Sequence, residues 1–194
     1  MKRLISVRGI PGSGKTYIAK KLGDKVRCID TDDIISQAYA DLARSRGEFT
    51  VDDVLERAQS GLDVVCRELG PGVTVVVGVT LNVAATQRMF VAMSPRALRA
   101  AYERTIRREV SKYAAINERA VGRLSADRIA PYLACKLHVN AFDPRREFAE
   151  YSEMYEKALA FERSNGAAPM TQREIISYVR RLSRKGTYSP IATS

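Results

Sequence analysis

Apolar residues in the first half of the chain alternate between strand-like runs and amphipathic, helix-like stretches. Three short runs rich in β-branched residues predict buried strands at about 3–8, 26–29 and 73–79. The segments between them repeat apolar residues at helical spacing and predict helices at about 14–22, 34–46 and 51–69. Because strands alternate with helices, we expect an α/β fold built on a parallel sheet.

The second half of the chain is predominantly helical. A fourth strand is predicted at about 89–93, and Ser94 and Pro95 then suit the N-cap and first position of a long helix. The join at 80–88 is shorter than the usual helical crossover, but an extended chain of that length reaches about 30 Å. We therefore expect this join to contain no helix. A last helix is predicted to open at 171–174, and a fifth strand is not evident.

Composition and charge narrow the class of protein. The 194 residues carry a net charge of +10, with 45% apolar and 28% charged residues, as in an ordinary globular domain. We expect one domain over 1–183, followed by a flexible tail at 184–194. Residues 1–95 hold 13 basic and 11 acidic side chains, whereas 96–194 hold 19 and 11. The positive charge is therefore concentrated in the C-terminal half and favours an anionic partner.

Several kinds of protein are disfavoured by what the sequence lacks. No apolar stretch approaches the roughly 20 residues that span a bilayer, so we expect no membrane partner. The cysteines Cys28, Cys66 and Cys135 are odd in number and far apart, which favours buried thiols in a reducing, cytoplasmic compartment. His138 is the single histidine, which excludes a multi-histidine metal centre and favours a structural role for that residue.

A glycine-rich segment between the first strand and the first helix carries the strongest chemical signal. It fits G-x-x-x-x-G-K-[ST] at every fixed position and reads Gly9-Ile10-Pro11-Gly12-Ser13-Gly14-Lys15-Thr16. The backbone N–H groups of such a loop, together with the positive end of the following helix, bind phosphate oxygens. Lys15 is predicted to reach the β- and γ-phosphates of ATP, and Thr16 to coordinate Mg²⁺. The predicted ATP contacts are Gly9, Pro11, Gly12, Ser13, Gly14, Lys15 and Thr16.

Three carboxylates follow the second predicted strand, at Asp30, Asp32 and Asp33. In parallel α/β sheets, ligands bind beyond the carboxyl ends of the strands, so these side chains are expected to face the same crevice as the glycine-rich loop. A carboxylate there can accept a proton from an attacking hydroxyl or hold Mg²⁺ through water. The alternative is purely local, since Asp32 or Asp33 can cap a helix that begins at Ile34.

The loop and the carboxylates together resemble the P-loop kinases of small molecules and nucleic-acid ends, in particular polynucleotide 5′-hydroxyl kinases, shikimate kinase and zeta-toxin-type kinases. The resemblance is specific over residues 3–36 and weak beyond about 110. It implies a P-loop NTPase-type three-layer fold with four to five parallel strands and a helical C-terminal half. By the same resemblance, Asp32 takes the place of the general base of polynucleotide kinases, and Asp30 that of the aspartate near Mg²⁺ in shikimate kinase.

The end of the third predicted strand departs from the hydrolytic P-loop proteins. Those proteins hold Mg²⁺ with an aspartate at this point. The present sequence reads Gly78-Val79-Thr80-Leu81-Asn82 and has no acid. This counts against a motor ATPase or a GTPase. Thr80 and Asn82 are either acceptor-binding residues or, as we favour, ordinary turn residues.

Basic residues cluster on the helix after the fourth strand. Arg104, Arg107 and Arg108 are three and four residues apart and therefore share one helical face. The resemblance to P-loop kinases implies a lid at about 104–125 whose arginines stabilise the transferring phosphate, and we favour Arg104 and Arg108 for this role. The alternative is a solvated face balanced by neighbouring glutamates. The later basic clusters 145–146, 180–181 and 184–185 are predicted on solvated helix faces, and Tyr151, Tyr155 and Phe161 in the core or on helix faces.

The sequence therefore predicts an ATP-dependent, Mg²⁺-dependent kinase. Its catalytic residues are expected to be Lys15, Asp32, Arg104 and Arg108, and its metal ligands Thr16 and Asp30. The expected acceptor is a nucleoside, a nucleotide or a nucleic-acid 5′-hydroxyl end. The alternative is a nucleotide-binding protein with little or no turnover and a regulatory or nucleic-acid-binding role.

Overall fold

The computed structural model describes residues 2–23, 26–45, 48–78, 80–113 and 144–185. Residues 114–125 of the predicted lid, residues 186–194 of the predicted tail, Cys135 and His138 lie outside these ranges. The chain divides into two compact units. The first, here called the sheet unit, comprises Met1–Gly9, Lys15–Ala92 and Glu162–Ser194. The second, here called the helical unit, comprises Ile10–Gly14 and Met93–Phe161.

The described chain forms an α/β fold of the P-loop type on a five-stranded parallel sheet. The strands are β1 (Lys2–Arg8), β2 (Arg27–Asp30), β3 (Gly72–Gly78), β4 (Gln87–Val91) and β5 (Ala168–Met170). Their order across the sheet is β2-β3-β1-β4-β5, and every neighbouring pair is parallel. The first strand is therefore central, and the chain crosses over it between the third and fourth strands.

The helices match the amphipathic stretches of the sequence. They are α1 (Lys15–Leu22), α2 (Thr31–Arg44), α3 (Val51–Glu68), α4 (Pro95–Tyr113), α5 (Pro144–Ser164) and α6 (Gln172–Lys185). In the part of the chain that the structure describes, no helix is both long enough and apolar enough to cross a membrane.

Two apolar cores cover the two faces of the sheet and make three layers. Successive strand residues point to opposite faces, so Ile5 and Val7 of β1 lie in one core and Leu4 in the other. The first core is completed by α1 and α6 through Ile18, Leu22, Ile175, Ile176 and Val179. The second is completed by α2 and α3 through Ala38, Val54, Ala58 and Leu62. Burial on both faces accounts for the continuous apolar run in β3.

Local signals at the helix ends are confirmed at three positions. Thr50 and Asp53 form a reciprocal capping box at the start of α3. At the start of α6, Thr171 donates its backbone N–H to Glu174 Oε2 at 2.7 Å, and the Thr171 hydroxyl accepts from the backbone N–H of Glu174 at 3.3 Å. Gly23, with φ of 63°, ends α1 in the left-handed conformation that glycine adopts without a steric penalty.

The structure also corrects several boundaries. The second helix begins at Thr31, three residues before the predicted start at Ile34. The short strand β5 was not evident from the sequence, because its three residues include a proline and lie at the sheet edge, where few ladder hydrogen bonds are needed. The strand β4 ends at Val91 and not at Met93. Residues 80–86 contain no helix, as predicted for this join.

The helical unit is organised by aromatic side chains between α4 and α5. The ring of Tyr102 lies 5.4 Å from that of Phe148 and 5.5 Å from that of Tyr151, in edge-on and tilted arrangements. The guanidinium of Arg99 stacks over Phe148 at 4.8 Å. The hydroxyl of Tyr155 accepts the backbone N–H of Met93 at 2.9 Å. Tyr151 and Tyr155 are core residues and Phe161 lies exposed on its helix, which agrees with the prediction of core or helix-face positions for all three.

Candidate phosphate-binding site

The glycine-rich loop follows the central strand of the sheet. The strand β1 ends at Arg8, and α1 begins at Lys15, so Gly9–Gly14 form the connection. The connection after β1 leads to β2 on one side, while the chain after β3 crosses to β4 on the other. This is the topological switch point at the carboxyl edge of the sheet, where parallel α/β folds bind their ligands.

Two glycines allow the loop to turn tightly. Gly12 and Gly14 have φ of 76° and 89°, in the region that residues with a Cβ rarely adopt. Between them, the backbone N–H of Ser13 donates to the carbonyl of Ile10 at 3.2 Å. Ile10 and Ser13 are buried, so the loop is held in place by its own packing. Alternating positive φ values of this kind turn successive backbone N–H groups to one side of a loop, as anion binding requires.

The charge at the start of α1 suits an anion. Lys15 is half-buried, and its ammonium donates to the carbonyl of Gly9 at 2.6 Å. Thr16 is exposed. The first turn of α1 contains no acidic residue, so nothing within the helix offsets its positive end.

Side chains of α4 and α5 hold the other side of the loop, within the helical unit. The guanidinium of Arg104 donates to the carbonyl of Gly12 at 2.9 Å, and the hydroxyl of Tyr151 donates to the carbonyl of Pro11. A Cβ at position 12 would lie 2.5 Å from the carbonyl oxygen of Ala101 and 2.6 Å from the hydroxyl of Thr105. Glycine at this position is therefore required by the close approach of α4 as well as by the backbone conformation.

The three arginines of the predicted basic face of α4 differ in their exposure to solvent. Arg104 and Arg108 are one turn apart and exposed, whereas Arg107 is half-buried. Burial raises the pKa of the Tyr151 phenol, while a hydrogen bond with Thr105 and the positive charges of Arg104 and Arg108 act in the opposite direction. The positive charges of Arg104 and Arg108 therefore act on the Tyr151 phenol, which contacts the loop. Arg104 is in direct contact with the loop backbone, and its remaining guanidinium N–H groups leave it able to bind a further acceptor.

Asp30 lies at the end of β2 and caps α2. Its Oδ1 accepts the backbone N–H of Asp32 at 3.1 Å, so the N-cap is Asp30. The expectation that Asp32 or Asp33 caps this helix is therefore wrong. Burial raises the pKa of the Asp30 carboxyl, and the nearby charge of Lys15 lowers it. Lys15 at the start of α1 and Asp30 at the end of β2 both lie at the carboxyl edge of the parallel sheet.

Asp32 and Asp33 lie in the first turn of α2 and are exposed. The backbone N–H of Asp32 donates to the capping carboxylate of Asp30, and this hydrogen bond fixes the position of the Asp32 Cα relative to Asp30. Among the described residues, no three His, Cys, Asp or Glu side chains are grouped so that they could hold a metal by themselves. A Mg²⁺ ion that uses one or two protein oxygens together with phosphate and water remains compatible with Thr16 and Asp30.

The end of β3 is closed to an acidic side chain. A Cβ at Gly78 would lie 1.8 Å from the hydroxyl of Thr31, the first residue of α2, which is buried. Thr31 therefore leaves no space for an acidic side chain at position 78. Further along, Asn82 exchanges two hydrogen bonds between its backbone and the Gln59 side chain, at 2.8 and 3.0 Å. This contact supports the interpretation of Asn82 as a turn residue.

Replacing Gly78 by alanine is expected to lower the free energy of unfolding by about 1–3 kcal/mol, because the added methyl group overlaps Thr31. Urea denaturation would measure the loss. Gly70→Ala is the matched control, since a Cβ at Gly70 meets nothing within 4 Å. The double variant Thr31→Ala/Gly78→Ala should recover part of the loss. Equal stabilities of the Gly70 and Gly78 variants would contradict this packing.

A buried ion pair next to the loop was not anticipated from the sequence. Arg8, the last residue of β1, donates from Nε to Glu162 Oε1 at 3.0 Å and from Nη1 to the carbonyl of Leu81 at 2.6 Å. The exposed fractions of the two charged side chains are only 14% and 8%. The available signal was a charged residue directly after the buried segment 4–7 of β1. The sequence predicts Tyr151 as a core or helix-face aromatic, because nothing local in the sequence indicates its contact with the loop.

Comparison with known protein families and with curated proteins gives no match to this chain. Among solved structures, the chain is similar to the crystal structure of TT1252 from Thermus thermophilus. The two share 15% sequence identity over 83% of this chain and 97% of that one, with a TM-score of 0.39. A likeness at this level of identity and TM-score does not bear on the function of this chain.

Proposed function

We propose that this chain is an ATP-dependent phosphotransferase acting on a nucleoside, a nucleotide or a nucleic-acid 5′-hydroxyl end. The observation that carries the proposal is geometric: Lys15 follows the loop of the central strand β1 and Asp30 ends β2, so both lie at the carboxyl edge of the same parallel sheet. A phosphate-binding cation and a group of carboxylates at one edge of the sheet are the two parts that phosphoryl transfer to a hydroxyl requires.

Each residue has a proposed task. The loop from Gly9 to Gly14 and the start of α1 bind the phosphates of ATP, with Lys15 on the β- and γ-phosphates. Thr16 and Asp30 would hold Mg²⁺, which when bound neutralises phosphate charge. Arg104 holds the loop through the Gly12 carbonyl. With Arg108, it supplies positive charge for the transferring group.

The proposed reaction at a hydroxyl acceptor is a single displacement at phosphorus. The acceptor oxygen bonds to the γ-phosphorus, the bond from that phosphorus to the bridging oxygen breaks, and ADP leaves with the electron pair. The acceptor proton passes to the Asp32 carboxylate, which is exposed and therefore open to a substrate. A phosphate acceptor carries no such proton at neutral pH, so Asp32 matters less for a monophosphate.

The direct test is transfer from γ-labelled ATP with Mg²⁺ to a panel of nucleosides, nucleoside monophosphates and oligonucleotides with 5′-hydroxyl ends. We expect labelled product from at least one of these three classes. If ATP binds but none is phosphorylated, the kinase proposal fails.

Asp32→Asn is expected to reduce transfer to a hydroxyl acceptor about 100-fold while ATP binding is retained, because the amide cannot accept the proton. Asp33→Asn is the matched control, since Asp33 is also exposed and lies in the same helical turn. Single-turnover rates would separate transfer from binding. Unchanged rates in the Asp32 variant, with a hydroxyl acceptor, would remove the base assignment.

A second candidate function is nucleotide binding without useful turnover, in a regulatory or nucleic-acid-binding protein. The specific observation in its favour is Gly78, which lies where the hydrolytic P-loop proteins carry a metal-binding acid. ATP binding together with no transfer to any of the three acceptor classes is the result that would favour it.

A further inference from the structure

Helix α6 carries a stripe of arginines on its exposed side. Arg173, Ser177, Arg180 and Arg184 are four, three and four residues apart, and all four are exposed. With Arg181, Glu174 and Met170 they line a groove of about 740 Å³. The whole groove belongs to the sheet unit, on the layer that α6 shares with α1.

The positive charge of this groove is poorly compensated. Among the described residues, no carboxylate forms an ion pair with Arg173, Arg180 or Arg181. Glu174, the acidic residue in the groove, accepts the backbone N–H and the hydroxyl of Thr171 at 2.7 and 2.8 Å as part of the helix cap. These hydrogen bonds lower the pKa of Glu174, so it stays ionised, but its oxygens are directed to the cap.

Neighbouring contacts hold the groove in shape. Arg180 donates to the carbonyl of Lys21 at the end of α1, at 2.6 Å. The guanidinium of Arg181 lies 5.8 Å from the centre of the Tyr178 ring, whose hydroxyl accepts from Gln87. Two of the arginines are therefore positioned by the protein before any ligand arrives, which reduces the entropy that binding costs.

We propose that this arginine groove binds the phosphate backbone of a nucleic-acid strand. Along the helix, Arg173 and Arg184 are about 16 Å apart, a length that matches about five stacked nucleotides of one strand at ~3.4 Å each. A single small anion needs no charge row of that length. Guanidinium groups bind phosphate through paired N–H donors, which favours arginine over lysine at such a surface.

The surface is not suited to a lipid bilayer. None of the large hydrophobic residues exposed in the described chain lies on α6. Helices that bind the surface of membranes bury an apolar face in the lipid, and the apolar face of α6 is already packed on the sheet through Ile175, Ile176 and Val179.

One end of the groove lies at the edge of the sheet where the proposed reaction takes place. The link between the groove and the acceptor therefore rests on the proposed function. Because β5 is parallel to the other strands, α6 begins at the same edge of the sheet as Lys15 and Asp30. A strand lying along α6 would therefore have one end at this edge. Of the three acceptor classes, this favours the 5′-hydroxyl end of a nucleic acid.

The test is binding of a 12-nucleotide oligothymidylate, labelled at its 3′ end, measured by fluorescence anisotropy without ATP over a range of salt concentrations. Arg173→Ala/Arg181→Ala removes two exposed groove charges and leaves the Arg180 contact intact. We expect about tenfold weaker binding at low salt. The slope of log K against log salt should fall by about 1.4, since each single-strand phosphate contact contributes about 0.7.

The matched control is Arg44→Ala/Arg57→Ala, which removes two exposed arginines from α2 and α3 on the other face of the sheet. It should leave affinity and slope unchanged. The proposal is overturned if the oligonucleotide does not bind, if both double variants lose affinity equally, or if anionic lipid vesicles alone show the arginine dependence. Thermal unfolding of each variant checks that the fold is intact.

The outcome separates this proposal from the kinase proposal. Phosphorylation of nucleosides without oligonucleotide binding would reject the groove and keep the enzyme. Groove-dependent oligonucleotide binding without transfer to any acceptor would keep the groove and reject the enzyme.

Discussion

Replacing Glu162 by alanine is expected to lower the free energy of unfolding by about 3–5 kcal/mol. Arg8 would keep its place at the end of β1, with only 14% of its side chain exposed, its contact to the Leu81 carbonyl intact and its carboxylate partner lost. An uncompensated charge in a buried position is costly, because neither water nor a counter-ion replaces the lost partner. Equilibrium denaturation in urea would measure the effect.

Two further variants make this result specific. Glu153→Ala breaks an exposed ion pair with Lys157 on the same helix, and its stability should be nearly unchanged, because exposed pairs contribute little. Arg8→Met/Glu162→Leu removes both buried charges and should recover most of the loss. If Glu162→Ala is as stable as Glu153→Ala, the burial of the Arg8 pair is wrong.

Lys15→Met is expected to reduce phosphoryl transfer about 1000-fold in the enzyme proposed here. The ammonium contacts the carbonyl of Gly9. In the proposed enzyme it stabilises the charge on the transferred group, and removing one such donor costs roughly two to three orders of magnitude in rate. Methionine keeps the length and the apolar part of the side chain. Its kcat and KM for ATP, measured with the best acceptor of the panel, would show whether binding or transfer is lost.

Lys20→Met is the matched control for this variant. Lys20 lies on the same helix and is exposed, so the change removes the same charge away from the loop. We expect its transfer rate to be close to that of the wild type. If Lys15→Met retains wild-type transfer, the loop does not bind the transferred phosphate.

Elements specified by local chemistry were predictable from the sequence. The loop, the capping boxes at Thr50 and Thr171, and the β-branched strand β3 all rest on residues near one another in the chain. The α/β fold on a parallel sheet also followed, because strand and helix periods alternate regularly. The basic patches on α6 were correctly predicted as exposed, although their common groove was not.

Elements specified by long-range contact were not predictable in the same way. The strand β5 forms because Ala168–Met170 pair with β4, which is almost 80 residues away in sequence. The contact of Tyr151 with Pro11 joins residues 140 positions apart, and that of Arg8 with Glu162 spans 154. The start of α2 was misplaced for a different reason. Asp30, Asp32 and Asp33 lie close together in sequence, and any of the three can cap a helix. In the structure β2 ends at Asp30, and the helix begins directly after it.

The contacts of Arg104 and Tyr151 with the loop have a consequence for affinity. The carbonyls of Gly12 and Pro11 are each turned towards a donor on α4 or α5, so these two oxygens do not face an incoming anion. The loop therefore holds its shape before a ligand arrives. Ordering a flexible backbone costs about 1–2 kcal/mol per residue, and this loop meets that cost during folding. A nucleotide would then bind to a surface that is already formed, with little entropy left to lose in the protein.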